Sequence, residues 1–207
     1  MSRLATDYRQ RLAGALRAAG PEAPTLCEGW VTKDLANHLY IREHGKKAAL
    51  GIFMHRFAND YIAATRELEA KGYEWTVDAW AAGPGTLMKP LDRWANALEY
   101  FIHYADVVRA KDPNAELPIT DAQAAEIHRM LGLIGKRSLS GTTVPVIAFP
   151  DGMQRIIFND TKGVSLNGEN VVRISGPIQE IALWAYGRAA NSLIFSGPTE
   201  KLQRNSM

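Results

Sequence analysis

The hydrophobic periodicity of this chain changes once, near Gly141, and that change limits the folds open to it. Before Gly141, apolar residues recur at intervals of three and four, which is the spacing of amphipathic helices. After it, short β-branched segments are separated by turn residues, a pattern typical of strands. The sequence therefore predicts an α+β chain, with a helical bundle over residues 1–115 and a helix plus a small α/β domain over residues 116–207.

The bounds of the predicted elements follow from capping and turn residues. Thr32 is suited to cap the second helix, because its hydroxyl can accept a backbone hydrogen bond, and Thr120 or Asp121 is suited to cap a later one. The predicted helices are Thr6–Ala19, one that begins at Thr32, one through Phe53 to Leu68, Glu74–Ala82, Leu91–Ala110 and Asp121–Lys136. The predicted strands are Thr143–Phe149, Gln154–Phe158, Asn170–Ile174 and Ser192–Phe195, with a helix from Ile178 to near Gly187 between the last two.

Composition excludes several classes of protein. Of the 207 residues, 46% are hydrophobic and 22% are charged, so the chain has enough apolar side chains for a core and too many for a disordered segment. The net charge of +2 offers no basic field for nucleic acid. No uninterrupted apolar segment reaches the roughly eighteen residues of a membrane span. The single cysteine, Cys27, and the polar N-terminal segment predict a cytoplasmic protein.

A candidate metal site lies in the strongest helical pattern. Glu99 and His103 are four residues apart there, so both side chains project from one face of the helix. His38, between two inward-facing leucines of another predicted helix, would supply a third ligand. Two histidines and one glutamate would hold a divalent cation and leave coordination positions open. Asp106, one turn after His103, is either a competing fourth ligand or a hydrogen-bond partner of that histidine.

The same residues have plainer interpretations. A glutamate and a histidine at this spacing often form a charge-assisted pair on a solvated helix face. A histidine at position 38 can also be a buried side chain that donates to a backbone carbonyl. Arg42, one turn after His38, is a candidate anchor for a substrate carboxylate through its planar guanidinium, and the alternative is a surface ion pair with Glu43 or another acid.

Two segments carry a resemblance to a known family: LCEGWVTKDLANHLYIREH, from Leu26 to His44, and NALEYFIHYADVVRA, from Asn96 to Ala110. Both resemble the mycothiol-dependent maleylpyruvate isomerase family, a branch of the DinB-like metal-binding proteins of actinobacteria. In that family a Gly-Trp, Asp-Leu, His-Leu pattern carries the first metal histidine, which matches His38. A second motif carries a glutamate and a histidine that match Glu99 and His103. The C-terminal run SGPIQEIALWAYGRAA is similar to the small α/β domain found behind the bundle in many relatives.

This resemblance implies a DinB-like four-helix bundle that holds a divalent metal, with zinc as the expected ion, and uses mycothiol as cosubstrate. The ion would lower the pKa of the cosubstrate thiol from about 8.5 and supply a thiolate near neutral pH. In an isomerisation that thiolate would add to a conjugated alkene of a small electrophilic substrate, allow rotation about the new single bond and leave again. In a transfer it would displace a leaving group. Arg188, in the family-like C-terminal run, is a weaker candidate for binding a carboxylate.

Two other functions stay open at this point. One is a non-enzymatic metal-binding or small-ligand-binding protein, and the other is a metal-dependent hydrolase that uses bound water. The sequence assigns no catalytic acid or base, and it leaves the substrate, the native metal and the oligomeric state open. Cys27 receives no role because no histidine adjoins it in sequence, His44 and His55 are expected at the surface or rim, and His128 is expected in solvent.

Overall fold

The structure, a computed structural model, describes residues 3–83, 96–160, 163, 168 and 170–205. It divides into two compact units, Met1–Ala115 and Glu116–Met207. The first unit is helical, and the second contains a four-stranded sheet together with helices. The α+β class predicted from the sequence is therefore confirmed.

The first unit begins with the helices predicted from apolar spacing. Its helices are α1 (Arg3–Ala19), α2 (Thr32–His44), α3 (Lys47–Leu50), α4 (Ala58–Lys71), α5 (Tyr73–Ala81) and α6 (Ala97–Lys111), with a 3-10 turn at His55–Phe57. The segment predicted as helical from Phe53 forms that 3-10 turn first, so the longer helix starts only at Ala58. The predicted start of α6 at Leu91, with Trp94, lies outside the described residues.

The core of the first unit is built mainly between α1 and α6. Tyr8, Leu12 and Leu16 lie on one stripe of α1 and are fully buried. Phe101 and Ala105, one turn apart on α6, are fully buried as well, and the Tyr8 and Phe101 rings meet edge to face with centroids 5.1 Å apart. This packing fixes the helix that carries two of the predicted metal ligands.

The start of α2 differs from the prediction in its capping residue. Val31 occupies the N-cap, and the Asp34 carboxylate accepts from the Val31 backbone N at 3.0 Å. Thr32 lies inside the helix, and its hydroxyl donates instead to the Gly20 carbonyl. The prediction of Thr32 as the cap was wrong because that hydroxyl satisfies the end of α1, while the acid in the first turn caps α2 from within.

A buried ion pair joins four of these helices around the Glu43 carboxylate of α2. Arg9 of α1 contacts Glu43 at 2.9 Å (Nη1 to Oε2), and both side chains are at most 3% exposed. Trp80 of α5 donates to Glu43 from Nε1 at 2.6 Å, and the Tyr100 hydroxyl of α6 donates to it at 2.5 Å. These contacts fix α2 against α6 next to the candidate metal ligands.

The second unit consists of α7 (Asp121–Ser138), β1 (Val146–Pro150), β2 (Ile156–Asn159), β3 (Val172–Gly176), α8 (Ile178–Ala185) and β4 (Ile194–Ser196). The strands lie in the order β2, β1, β3, β4, with β1 and β3 parallel and the outer pairs antiparallel. Thr120 caps α7, since its hydroxyl accepts from the Gln123 backbone N at 3.3 Å. Of the two caps considered from the sequence, Thr120 is the one used.

Among the residues that the structure describes, no helix combines the length and the apolar character needed to cross a bilayer.

Candidate metal centre

Three side chains predicted as metal ligands converge in the first unit. His38 projects from α2, and Glu99 and His103 project from one face of α6. The distance from His38 Nε2 to Glu99 Oε1 is 3.4 Å, and that from His103 Nε2 to the same oxygen is 3.7 Å. The two histidines are each 8% exposed, so the three donor atoms meet in a nearly enclosed space.

This donor set fits a divalent cation. A zinc ion binds histidine nitrogen and carboxylate oxygen at about 2.0–2.2 Å, so in a tetrahedral site two such ligand atoms are roughly 3.4 Å apart. The distances of 3.4 and 3.7 Å are close to that separation, and the donor atoms of all three residues lie within 4.8 Å of one another. Three protein ligands leave a coordination position open, as in catalytic zinc sites.

The protonation of the three residues follows from their burial and contacts. Burial lowers the pKa of His38 below its ordinary value of 6.5, so its ring is neutral near pH 7. Burial acts to raise the pKa of Glu99, but hydrogen bonds with His103 and His38 and the charge of Arg42 together lower it to about 2. Burial acts to lower the pKa of His103, and its hydrogen bonds with Asp106, Cys27 and Glu99 overcome that effect and raise it. Near pH 7 the group therefore combines the anionic carboxylate of Glu99, the neutral imidazole of His38 and the cationic imidazolium of His103.

Arg42 lies at the edge of this group and holds the second oxygen of Glu99. Its Nη2 pairs with Glu99 Oε2, while its Nε donates to Asn96 Oδ1 at 3.2 Å. Glu99 Oε1 is thereby left facing the two histidines. Arg42 thus lies beside the candidate ligands and pairs with Glu99, whereas Glu43 pairs with Arg9, and the role of Arg42 toward a substrate stays a prediction.

Trp30 forms one side of the site. Its ring centroid lies 5.0 Å from that of His38, and Trp30 is half-buried in the loop between α1 and α2. The His38 and His103 rings are 5.7 Å apart and nearly perpendicular. The indole therefore shields the imidazole of His38 from solvent.

Behind His103 lies a second group of side chains, in which the sequence predicted Asp106 but assigned Cys27 no role. Asp106 Oδ2 is 3.0 Å from His103 Nδ1, the ring nitrogen opposite the one that faces Glu99. Cys27 donates from Sγ to the same oxygen of Asp106 at 3.2 Å and lies 3.7 Å from His103 Nδ1. Asp106 thus contacts the outer nitrogen of His103, which is the second of the two roles considered for it. Cys27 was missed because it lies 76 residues before His103 in the sequence, and only the folded chain brings the two side chains together.

The remaining candidates lie elsewhere. His44 stacks on Tyr40 with centroids 4.4 Å apart at the end of α2, and His55 is exposed in the 3-10 turn. His128 is not simply solvated, since its Nε2 lies 2.7 Å from the Gln154 carbonyl within the second unit. Arg188 follows α8 in that unit and donates from Nη1 to the Tyr186 carbonyl at 3.1 Å.

Comparison with known proteins gives two structural matches. No protein-family model and no curated protein matches the chain. The first match, described as the crystal structure of the mycothiol-dependent maleylpyruvate isomerase, is 17% identical with a TM-score of 0.55 and covers 98% of this chain and 94% of the isomerase. The chain is similar in fold to that enzyme. A variant of the isomerase with one histidine-to-alanine substitution also matches, at 16% identity, a TM-score of 0.51 and the same coverage. The resemblance seen in the two sequence segments is thereby confirmed for the fold over nearly the whole chain.

Proposed function

We propose that this protein is an enzyme that uses a bound divalent cation and a small thiol cosubstrate to act on a small electrophile. The observation that carries the proposal is the convergence of His38 Nε2, Glu99 Oε1 and His103 Nε2 in one nearly enclosed space. It is supported by the similarity in fold to a mycothiol-dependent maleylpyruvate isomerase. Mycothiol and a maleylpyruvate-like conjugated alkene are accordingly the first compounds to test, with zinc as the first ion.

The three proposed ligands share the work of holding the cation. A divalent cation held by these residues would lower the pKa of a thiol placed against it and so supply a nucleophile near neutral pH. His38 offers a nitrogen that burial keeps neutral. Glu99 offers an oxygen that stays ionised, and Arg42 orients that carboxylate by pairing with its other oxygen. His103 would bind through Nε2 and release the proton of that nitrogen to solvent, while Nδ1 keeps its contact with Asp106.

Arg42 and Trp30 are proposed to orient the substrate. The guanidinium of Arg42 is already held in one orientation by Glu99 and Asn96, so a carboxylate that approaches it meets a fixed pair of donors. The Trp30 indole limits access of water on the side of His38.

The contacts of Asp106 argue against its use as the base of a hydrolase or as a fourth ligand of the same cation. A hydrolase that uses bound water needs a carboxylate or histidine free to act as base, but Asp106 is engaged by His103 and Cys27. A purely structural ion would be closed off by a fourth protein ligand. Asp106, the candidate for that role, contacts the outer nitrogen of His103 instead.

The proposal is tested by metal content and thiol dependence measured on the same preparation. Protein stripped with a chelator and dialysed against zinc is expected to retain one equivalent, and His103→Ala is expected to retain none. His55→Ala is the matched control, because His55 is exposed and outside the site, and it should bind zinc as the unaltered protein does.

Turnover of the conjugated alkene should require both zinc and mycothiol. Turnover without any thiol would overturn the proposal. Zinc binding with no turnover in the presence of thiol would favour a non-enzymatic binding protein, and unchanged zinc content in His103→Ala would remove His103 from the site.

A further inference from the structure

Both ring nitrogens of His103 have a carboxylate partner: Nε2 faces Glu99, and Nδ1 faces Asp106. Asp106, one turn along α6, is completely buried, and its Oδ2 lies 3.0 Å from His103 Nδ1. A buried aspartate inside a helix costs free energy unless its charge is satisfied by donors. Two of its donors, His103 and Cys27, meet at the same oxygen.

We propose that Asp106, supported by Cys27, is a positioning residue that holds His103 with Nε2 directed toward the cation. The proposal rests on the proposed function, since it concerns the orientation of one of its three ligands. Asp106 itself does not contact the cation. It acts only through the ring of His103.

The first step of the argument is the hydrogen on the ring. Asp106 Oδ2 accepts from the Cys27 thiol, so in its contact with His103 this oxygen is again the acceptor and the hydrogen lies on Nδ1. The nitrogen available to a cation is then Nε2, which faces Glu99. Histidines that bind metals usually donate their other N–H to a carboxylate or carbonyl in this way, and loss of that partner lowers metal affinity about 10- to 100-fold.

The second step concerns what holds Asp106. The thiol of Cys27 donates to Oδ2, and the Leu26 backbone N donates to the Asp106 carbonyl at 3.0 Å. Both residues belong to the loop that also carries Trp30, whose ring lies against His38. Asp106 therefore connects this loop to α6 through both its backbone and its side chain. It contacts His103 directly, and the loop that it holds carries Trp30, which contacts His38.

The experiment uses cobalt(II) in place of zinc, because its visible spectrum reports ligand geometry. The full-length protein is stripped of metal, and cobalt(II) is titrated into the unaltered protein, Asp106→Ala, Asp106→Asn and Cys27→Ser. Asp112→Ala is the matched control, since Asp112 is an exposed acid that caps the end of the same helix. Circular dichroism confirms that each variant is folded before titration.

Asp106→Ala is expected to bind cobalt about 10- to 100-fold more weakly and to show an altered visible spectrum. Asp106→Asn keeps an oxygen that can accept from Nδ1 and should recover most of the affinity, which a loss of charge alone does not explain. Cys27→Ser keeps a donor to Asp106 and should stay close to the unaltered protein, as should Asp112→Ala.

An unchanged spectrum and affinity in Asp106→Ala would overturn the positioning role while leaving the proposed function intact. The same holds if Asp112→Ala weakens binding as much as Asp106→Ala, because the effect would then be one of general charge. If Asp106→Ala does not fold, Asp106→Asn decides, and an affinity as low as that of His103→Ala would overturn the role of the acceptor oxygen. Failure of the unaltered protein to bind cobalt at all would overturn the proposed function itself, and the positioning role with it.

Discussion

Replacing Arg9 by methionine tests the buried ion pair that fixes α2 against α6. Arg9 contacts Glu43 Oε2 at 2.9 Å and donates to the Trp80 carbonyl at 2.8 Å and the Tyr100 hydroxyl at 2.5 Å. Its guanidinium also lies over the Trp80 and Tyr100 rings, 5.0 and 4.6 Å from their centroids. Methionine fills much of the same volume and removes all of these interactions.

The expected cost is about 3–5 kcal/mol of unfolding free energy, because removal of one partner leaves a buried charge without compensation. Burial already raises the pKa of Glu43 above its ordinary 4.5, and Arg9 opposes that rise. Without Arg9 the pKa of Glu43 rises further. A raised folded-state pKa gives stability that is lost as pH increases through it, so the deficit of Arg9→Met should be larger at pH 8 than at pH 5.

The assay is urea unfolding followed by tryptophan fluorescence and circular dichroism at the two pH values. The double variant Arg9→Met/Glu43→Leu removes the isolated charge and should recover part of the lost stability. A loss of unfolding free energy below about 1 kcal/mol in Arg9→Met would refute the reasoning. Simple additivity would refute it as well, that is, if the loss in the double variant equals the sum of the losses in Arg9→Met and Glu43→Leu.

Two further predictions concern packing and ionisation away from the site. Gly135→Ala should lower the free energy of unfolding by about 1–3 kcal/mol, because a Cβ at that position would lie 2.2 Å from a ring carbon of Phe158. Gly132→Ala in the same helix is the control: its Cβ would have its nearest neighbour at 3.6 Å, so this variant should gain up to about 1 kcal/mol. Thermal or urea unfolding measures both changes. Burial raises the pKa of Tyr8 to about 12, so the unfolded chain loses this proton first, and stability present below pH 10 falls between pH 10 and about 12. Urea unfolding across this pH range should show that the free energy of unfolding declines by roughly 3 kcal/mol less in Tyr8→Phe than in the unaltered protein. An equal decline with pH in both proteins would contradict the raised pKa of Tyr8.

The helices that carry the candidate ligands could be predicted because their apolar stripes match the buried faces. Leu35 and Leu39, on either side of His38, are fully buried, and so are Phe101 and Ala105 on α6. The amphipathic spacing therefore placed the inward-facing direction of each helix correctly. The expected convergence of the candidate ligands from the two helices followed from that orientation together with the family resemblance.

The polar contacts around the ligands could not be predicted in the same way. Arg9 and Glu43 are usually solvated residue types, and nothing in their spacing shows that they meet inside the bundle. Cys27 lies in a loop without periodicity, so its contact with Asp106 depends on how that loop returns to α6. The error at Thr32 has the same origin, since the carbonyl of Gly20 competes for its hydroxyl across a turn.

The most direct test of the central claim is the spectrum of the cobalt(II) form during titration with a small thiol. If His38, Glu99 and His103 hold the ion and leave a position open, added thiol should bind as thiolate and produce a sulfur-to-cobalt charge-transfer band in the near ultraviolet. His38→Ala should abolish that band at the same metal concentration. A cobalt spectrum that the thiol leaves unchanged, or a band that survives in His38→Ala, would contradict the account.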